Sequence, residues 1–232
     1  MKLRKSIAAL IVALLIGGFA ITGTASADVI GDCTLAGYTF MGGGFAYTND
    51  TKDYLLAQPL EYYYGESNYW GYGWLKFDIG TETVDSAYLV LDILGSGSMS
   101  ITDLSEENVG DLSIYSAGTT DVDDLADDST ARSNLQSTLY DDDGSLLLAT
   151  LDSMTSNGLY YIDITDIYNS WVSGTDNNGL VLVSDLGLKI AGIGSEEGSA
   201  PYISTTNAVP VPAAAWLLGS GLLGLVGLRR RS

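Results

Sequence analysis

The chain of 232 residues has no histidine, one cysteine and only 10 lysines and arginines, and each shortage removes a class of chemistry. Without imidazole there is no histidine general base and no histidine-built metal centre. With Cys33 alone, neither an intramolecular disulfide nor a paired-thiolate zinc site can form. The fold must hold itself together by burial and hydrogen bonding. Basic residues are scarcer still within the body, because Lys2, Arg4, Lys5, Arg229, Arg230 and Arg231 stand at the extreme ends. Between Asp28 and Thr206 only Lys52, Lys76, Arg132 and Lys189 oppose all 29 acids, 4 minus 29, a charge of −25. Such a body repels phosphate backbones and anionic headgroups, which argues against nucleic acid as a partner. Its acidity is either a solubilising coat or a means of gathering divalent cations. What is abundant is 28 Gly and 15 Tyr, with 17% charged residues, a balance that fits a β-rich, turn-rich exported protein of one or two domains.

Long apolar runs occur only at the two ends. Lys2, Arg4 and Lys5 precede an apolar stretch from Ile7 to Ile21 and then Ala25-Ser26-Ala27, the three-part pattern of a secretory signal. Cleavage is expected after Ala27, making residues 1–27 a signal peptide. Gly31-Asp32 precedes Cys33, and a bacterial lipobox needs a small residue directly before its cysteine, so Cys33 reads as an unlipidated thiol.

At the other end Val209-Pro210-Val211-Pro212 leads into an apolar stretch from Ala213 to Leu228, which Arg229-Arg230-Arg231 follows. Those 16 residues fall short of the ~20 that comfortably span a bilayer core. The arginines would stay cytoplasmic, leaving the acidic body outside the inner membrane. Pro210 and Pro212, the Trp216-Leu217-Leu218-Gly219-Ser220-Gly221 segment and the arginine cluster together resemble the PEP-CTERM sorting tail, with Val211 where that family carries Glu. The resemblance implies an exosortase partner and transient inner-membrane association through residues 207–232. The destination would be the cell surface or extracellular matrix of a Gram-negative bacterium. A plain C-terminal membrane anchor is the other reading of the same residues.

The body alternates with period two. Leu75, Phe77 and Ile79 share one face of a run in which Trp74, Lys76 and Asp78 take the other, and Ala87, Leu89, Leu91 and Ile93 repeat the pattern. Further runs at Leu112–Ile114, Leu146–Leu151, Leu159–Ile164, Leu180–Val183, Leu188–Ile193 and Tyr202–Thr205 bring the total to about eight to ten strands. The fold class expected is all-β, an antiparallel two-sheet β-sandwich, jelly-roll-like, with one or two short helices. One helix is expected from a capping Thr165, with Ile167 and Trp171 one turn apart and Gly174 as its stop. Residues 121–139 read either as a second helix carrying Val122, Leu125, Leu135 and Leu139 or as a solvated acidic loop.

In order along the chain, Trp74-Leu75-Lys76-Phe77-Asp78-Ile79, Ala87-Tyr88-Leu89-Val90-Leu91, Ile162-Asp163-Ile164-Thr165-Asp166, Trp171, Asn178-Gly179-Leu180, Ser195-Glu196 and Ala200-Pro201-Tyr202-Ile203 resemble the landmarks of DNRLRE domains. These are β-sandwiches similar to carbohydrate-binding modules. The resemblance covers residues 54–206, leaves 28–53 as a lead-in, and implies saccharide binding without catalysis. Two departures stand out: Lys76 where the family carries Arg, and a long acidic insert between Ala117 and Asn157.

Seven aromatic residues, Tyr62, Tyr63, Tyr64, Tyr69, Trp70, Tyr72 and Trp74, fall within thirteen positions. Rings with polar edges stack on the apolar face of a pyranose, so Tyr63, Tyr69, Trp70 and Tyr72 are candidates for a saccharide platform; the alternative is that they divide between core and surface. The family resemblance also points to loops where calcium could sit, with Asp163, Asp166 and Glu196 as ligands, although Asp166 equally suits a helix N-terminus. Asp141-Asp142-Asp143-Gly144-Ser145 lacks the ligand spacing of an EF-hand. Hydrolysis would need two carboxylates held around a sugar, and 29 acids supply pairs by chance. Three functions follow: an exported polysaccharide-binding protein that is not an enzyme, a structural matrix protein without saccharide affinity, and a carboxylate-pair glycosidase or lyase.

Overall fold

The computed structural model describes residues 28–40, 45–48, 53–60, 62–64, 67–69, 71–96 and 102–206, and residues 27–206 form one compact unit. Ala25 and Ala27, expected at a signal cleavage site, and Pro210, Pro212, Arg229, Arg230 and Arg231, expected in a sorting tail, lie outside the described residues. Among the described residues no helix is long and apolar enough to cross a membrane.

The strands are β1 (Val29–Phe40), β2 (Phe45–Thr48), β3 (Tyr54–Ala57), β4 (Tyr62–Tyr64), β5 (Ser67–Tyr69), β6 (Tyr72–Ile79), β7 (Tyr88–Ser96), β8 (Gly110–Ser116), β9 (Leu147–Met154), β10 (Gly158–Asp163), β11 (Leu180–Val183), β12 (Leu188–Ala191) and β13 (Tyr202–Ser204). Two helices interrupt them, α1 (Ser129–Tyr140) and α2 (Thr165–Val172). The expected all-β class holds: the strands run antiparallel in the order β3-β12-β7-β13-β1-β6-β11-β8-β9, with β10 on β7 and β2 on β1, while β4 and β5 form a separate hairpin. The two arms on either side of β1 close their apolar faces on one core, giving a sandwich-like architecture. Leu89, Leu91 and Ile93 from one arm and Leu75, Leu112, Ile114, Leu180 and Leu182 from the other are fully buried in it. Each such side chain contributes about 1.5–3 kcal/mol relative to exposure.

The lead-in expected over residues 28–53 is instead the strand that joins the arms. Residues 29–32 of β1 pair with β13, and residues 31–39 pair with β6. Gly37 is required there, since a Cβ would stand 2.6 Å from the Trp74 indole. Cys33 on this strand donates to the Leu35 carbonyl at 3.3 Å, and burial pushes its thiol up to about 12.

The acidic insert resolves in favour of structure. The pair β6–β11 is buried on both faces over Tyr72–Leu75 and Leu180–Val183. Its outer face is covered by a 3-10 turn at Val122–Ala126 and by α1, where Val122, Leu125, Leu135 and Leu139 pack on Tyr72, Trp74, Val181 and Val183. The helix starts where Asp128 accepts from the Thr130 N–H. Arg132, only 5% exposed, donates to the carbonyls of Leu125 and Ala126, and the Tyr72 hydroxyl donates to the Arg132 carbonyl at 2.8 Å. Lys76 pins the turn from outside, 2.6 Å from Asp121 and 2.5 Å from Asp123.

The second helix begins one residue earlier in role than expected. Ile164 is its N-cap without a side-chain bond, while Thr165 Oγ1 accepts from the Ala87 N–H and donates to Asp163. Trp171 is buried in the main core as expected, and Gly174 ends the helix at a φ of +110°.

Two predictions test the cover. Gly179 has a φ of +94°, and a Cβ would lie 2.5 Å from Val122 and 2.6 Å from the Leu75 carbonyl. Gly179→Ala is expected to lower unfolding free energy by about 2 kcal/mol or more in urea titration. Burial lowers the Lys76 pKa, but its hydrogen bonds to Asp121 and Asp123 outweigh this and raise it; for Asp121 the same opposition ends in a lowered pKa. The contribution of Asp121 is therefore present above the ordinary carboxylate range and lost as pH falls through its lowered value. That of Lys76 is present below the ordinary lysine range and lost as pH rises through its raised value. Because the carboxylates are 41% and 57% exposed, Lys76→Met should cost no more than about 1 kcal/mol. The difference from wild type should be constant across neutral pH and shrink towards pH 3 in parallel denaturation series.

Candidate binding face

The expected aromatic platform divides. Tyr63 and Tyr69 lie in the β4–β5 hairpin, where Tyr63 pairs with Asn68 and Tyr69 with Tyr62; Trp70 is outside the described residues. Tyr72 is a correction: it is fully buried between the sheet and the helical cover, 6.1 Å edge-on to Trp74, and burial raises its pKa. Its glycine neighbours bring the strand close to others: a Cβ at Gly71 would stand 2.5 Å from Gln58 and one at Gly73 2.9 Å from Leu55. A ring in that position stacks on no ligand.

A part-exposed aromatic surface is assembled elsewhere, on the outer face of the β10–β7–β13 arm. Inward positions on β7 are Leu89, Leu91 and Ile93, so Tyr88, Val90 and Asp92 point out. The register then sets Tyr161 of β10 beside Val90 and Val90 beside Tyr202 of β13. The same lateral row continues through Asp32 of β1 to Asp78 of β6. Five strands at ~4.8 Å spacing make a row about 19 Å long. Val90 is 0% exposed although it lies on an outer face, and Tyr161 and Tyr202 flank it on the two neighbouring strands. Burial first, then the neighbouring Tyr161 and the nearby Asp92 charge, raise Tyr202 to about 12. The Tyr202 phenol therefore stays neutral, and the two rings present apolar surface with hydroxyl edges. Tyr88 and an exposed Leu159 border the patch, and Val29 extends it at 50% exposure. Asp92 is held by the Ser199 N–H at 2.9 Å.

A second group of rings is less open. Tyr38, Tyr47 and Tyr54 stack on one another at 5.0 and 5.9 Å, and Lys189 sits 5.0 Å over Tyr54 while paired with Glu197.

The far end of the row is acidic. Asp32 and Asp78 are both exposed and directly opposite across an antiparallel pair. They line a cleft of about 520 Å³ with Gly31, Glu82, Val84 and Tyr168. The three described cations are engaged elsewhere: Lys76 with Asp121 and Asp123, Lys189 with Glu197, and Arg132 with main-chain carbonyls.

The calcium reading gains no geometry. Asp163 accepts from both the N–H and the hydroxyl of Thr165, which lower its pKa; Asp166 lies in the first turn of α2, and Glu196 lies in the exposed turn after β12. Among the described residues no three Asp, Glu, His or Cys side chains converge as metal ligands. Asp142 is likewise engaged, accepting from the N–H and hydroxyl of Ser145 and from the N–H of Leu146.

The facing carboxylates give a prediction of their own. Like charges directly opposite destabilise a strand pair by a few tenths of a kcal/mol to ~1 kcal/mol. Asp78→Asn should therefore raise stability by about 0.5 kcal/mol at low salt, and less at high salt, as read from urea midpoints.

The outer positions Tyr88, Tyr161 and Tyr202 follow from the same alternation that placed Leu89, Ile162 and Ile203 inside. Their adjacency depends on strand order. No family model and no curated protein matches this chain.

Proposed function

We propose that the chain is an exported, non-catalytic protein of the cell surface or extracellular matrix that binds polysaccharide through the outer face of β10, β7 and β13. The observation that supports this is the Tyr161–Val90–Tyr202 row: two part-exposed tyrosines on either side of a buried valine on the outer face of the sheet. Such a surface offers stacking area to the apolar face of a pyranose, and its hydroxyls and neighbouring carboxylates offer partners to sugar hydroxyls. Its openness suits a polymer that runs past, in contrast to a small molecule that must be enclosed. The likeness of the body to DNRLRE domains supports the same reading. Sorting by an exosortase rests on Pro210, Pro212 and Arg229–Arg231, with calcium left as an accessory that no observed ligand set requires.

Affinity-gel electrophoresis of the full chain against a panel of neutral and charged polysaccharides tests the proposal. Tyr161→Ala and Tyr202→Ala should each weaken retardation about threefold to tenfold. Tyr140→Ala, at a ring 61% exposed on α1, should leave it unchanged. Circular dichroism would confirm that all three variants stay folded. Unchanged retardation in both face variants would remove the site. Absence of retardation of the wild type on every polysaccharide would leave the structural matrix protein without saccharide affinity.

A further inference from the structure

The geometry points to a narrower ligand class, resting on the saccharide reading above: we propose that this face selects polysaccharides bearing free amino groups. Stacking on the tyrosine rings is indifferent to ligand charge, so discrimination must come from what borders them. At one end of the row stand Asp32 and Asp78, facing each other with Cβ atoms on the order of 5 Å apart. Asp92 flanks Tyr202 on its other side, and Glu82 lines the cleft that Asp32 and Asp78 share. None of these four carboxylates is among the described ion pairs, which belong to Lys76 and Lys189.

Two facing carboxylates without a counter-charge repel each other, and a cation placed between them turns that repulsion into attraction. A divalent metal would be the simplest such cation, but it needs a convergent set of oxygen ligands that the described residues do not form. An ammonium group on a sugar ring has a lesser requirement. It needs one or two carboxylates, because the ring that carries it is already held by stacking on Tyr202 and Tyr161. The cleft of about 520 Å³ has room for a ring at this end of the row. Uronate or sulfate polymers meet the opposite situation: they would bring like charge to these carboxylates and to a body of charge −25.

The test compares one backbone in two charge states: a β-linked N-acetylglucosamine polymer and its partly deacetylated form, with polygalacturonate as the anionic member and polylysine as a cation without sugar rings. Retardation of the full chain is measured in each, at low and at moderate salt. The deacetylated polymer should bind about fivefold to tenfold more tightly than the acetylated one, and polygalacturonate should not bind. Asp32→Asn with Asp78→Asn should abolish the preference and leave binding to the acetylated polymer intact. Polylysine binding should hardly change in that variant, since 27 of 29 acids remain. Equal binding of the two glucosamine polymers, a preference for polygalacturonate, or a preference that survives the double variant would overturn the amine selectivity and leave the tyrosine face standing. Failure of every polymer to bind, or binding indifferent to Tyr202→Ala, would instead bring down the saccharide reading on which it rests.

Discussion

The structure depends on the burial, on both faces, of β11 and of the first half of β6, Tyr72–Leu75. A four-residue run of Leu180, Val181, Leu182 and Val183 has no polar side for water, so it is stable only if something covers each face. The main core does so on one side. On the other, the segment between β8 and β9 supplies a 3-10 turn and α1, whose apolar residues seat on Tyr72, Trp74, Val181 and Val183. The acids that make this segment look like a solvated loop face outward, and Asp121 and Asp123 join it to Lys76. Its rigidity comes from Arg132, a buried guanidinium satisfied by main-chain carbonyls, a configuration tolerable only while those hydrogen bonds persist.

That constraint also decides where a ligand can approach. The aromatic residues at the start of β6 close the second core, so one arm of the sandwich has its outer face occupied by the chain itself. The other arm, β10, β7 and β13, has no such cover at the Tyr161–Val90–Tyr202 row. A binding surface and a folding surface compete for the same large aromatic side chains, and here they have been allotted to opposite arms.

The legible parts of the sequence were those encoded locally. Ala87, Leu89, Leu91 and Ile93 alternate cleanly and all are buried, and the residues assigned to the core in the 121–139 segment, Val122, Leu125, Leu135 and Leu139, are the ones that pack there. What escaped was whatever depended on strand order. β1 carries Gly31, Asp32, Thr34 and Gly37, a poor alternation, yet it becomes the joining strand because glycines permit close approach of Ile203 and Trp74. Tyr72 looked exposed because its cover lies 60 residues away, at Arg132. Tyr161 and Tyr202 are 41 positions apart, and only β7 between them makes them neighbours. Tyr72 and Trp74, from a cluster dense in sequence, proved to be interior, whereas a surface cluster was assembled from single residues on separate strands.

Charge and aromaticity play separate parts on this surface. The field of a body with charge −25 extends over about a Debye length, ~8 Å at physiological salt, and therefore sorts partners by sign before contact. It cannot distinguish one cation from another. The tyrosine row acts only at contact, on any flat apolar ring, and is blind to sign. Selectivity for a particular polymer needs both at once, which requires the carboxylates to be in register with the rings. The pairing of Asp32 with Tyr202 on one side and Asp78 on the other supplies that register. A one-residue slip of β1 would turn Asp32 inward and bring Gly31 or Cys33 out in its place, losing the charge while leaving the rings untouched. The bulge between Val29 and Gly31 and the second between Cys33 and Leu35 bracket Asp32 on both sides, and bulges of this kind pin a strand against slippage. The position of one aspartate is thus fixed by two irregularities in the strand that joins the arms.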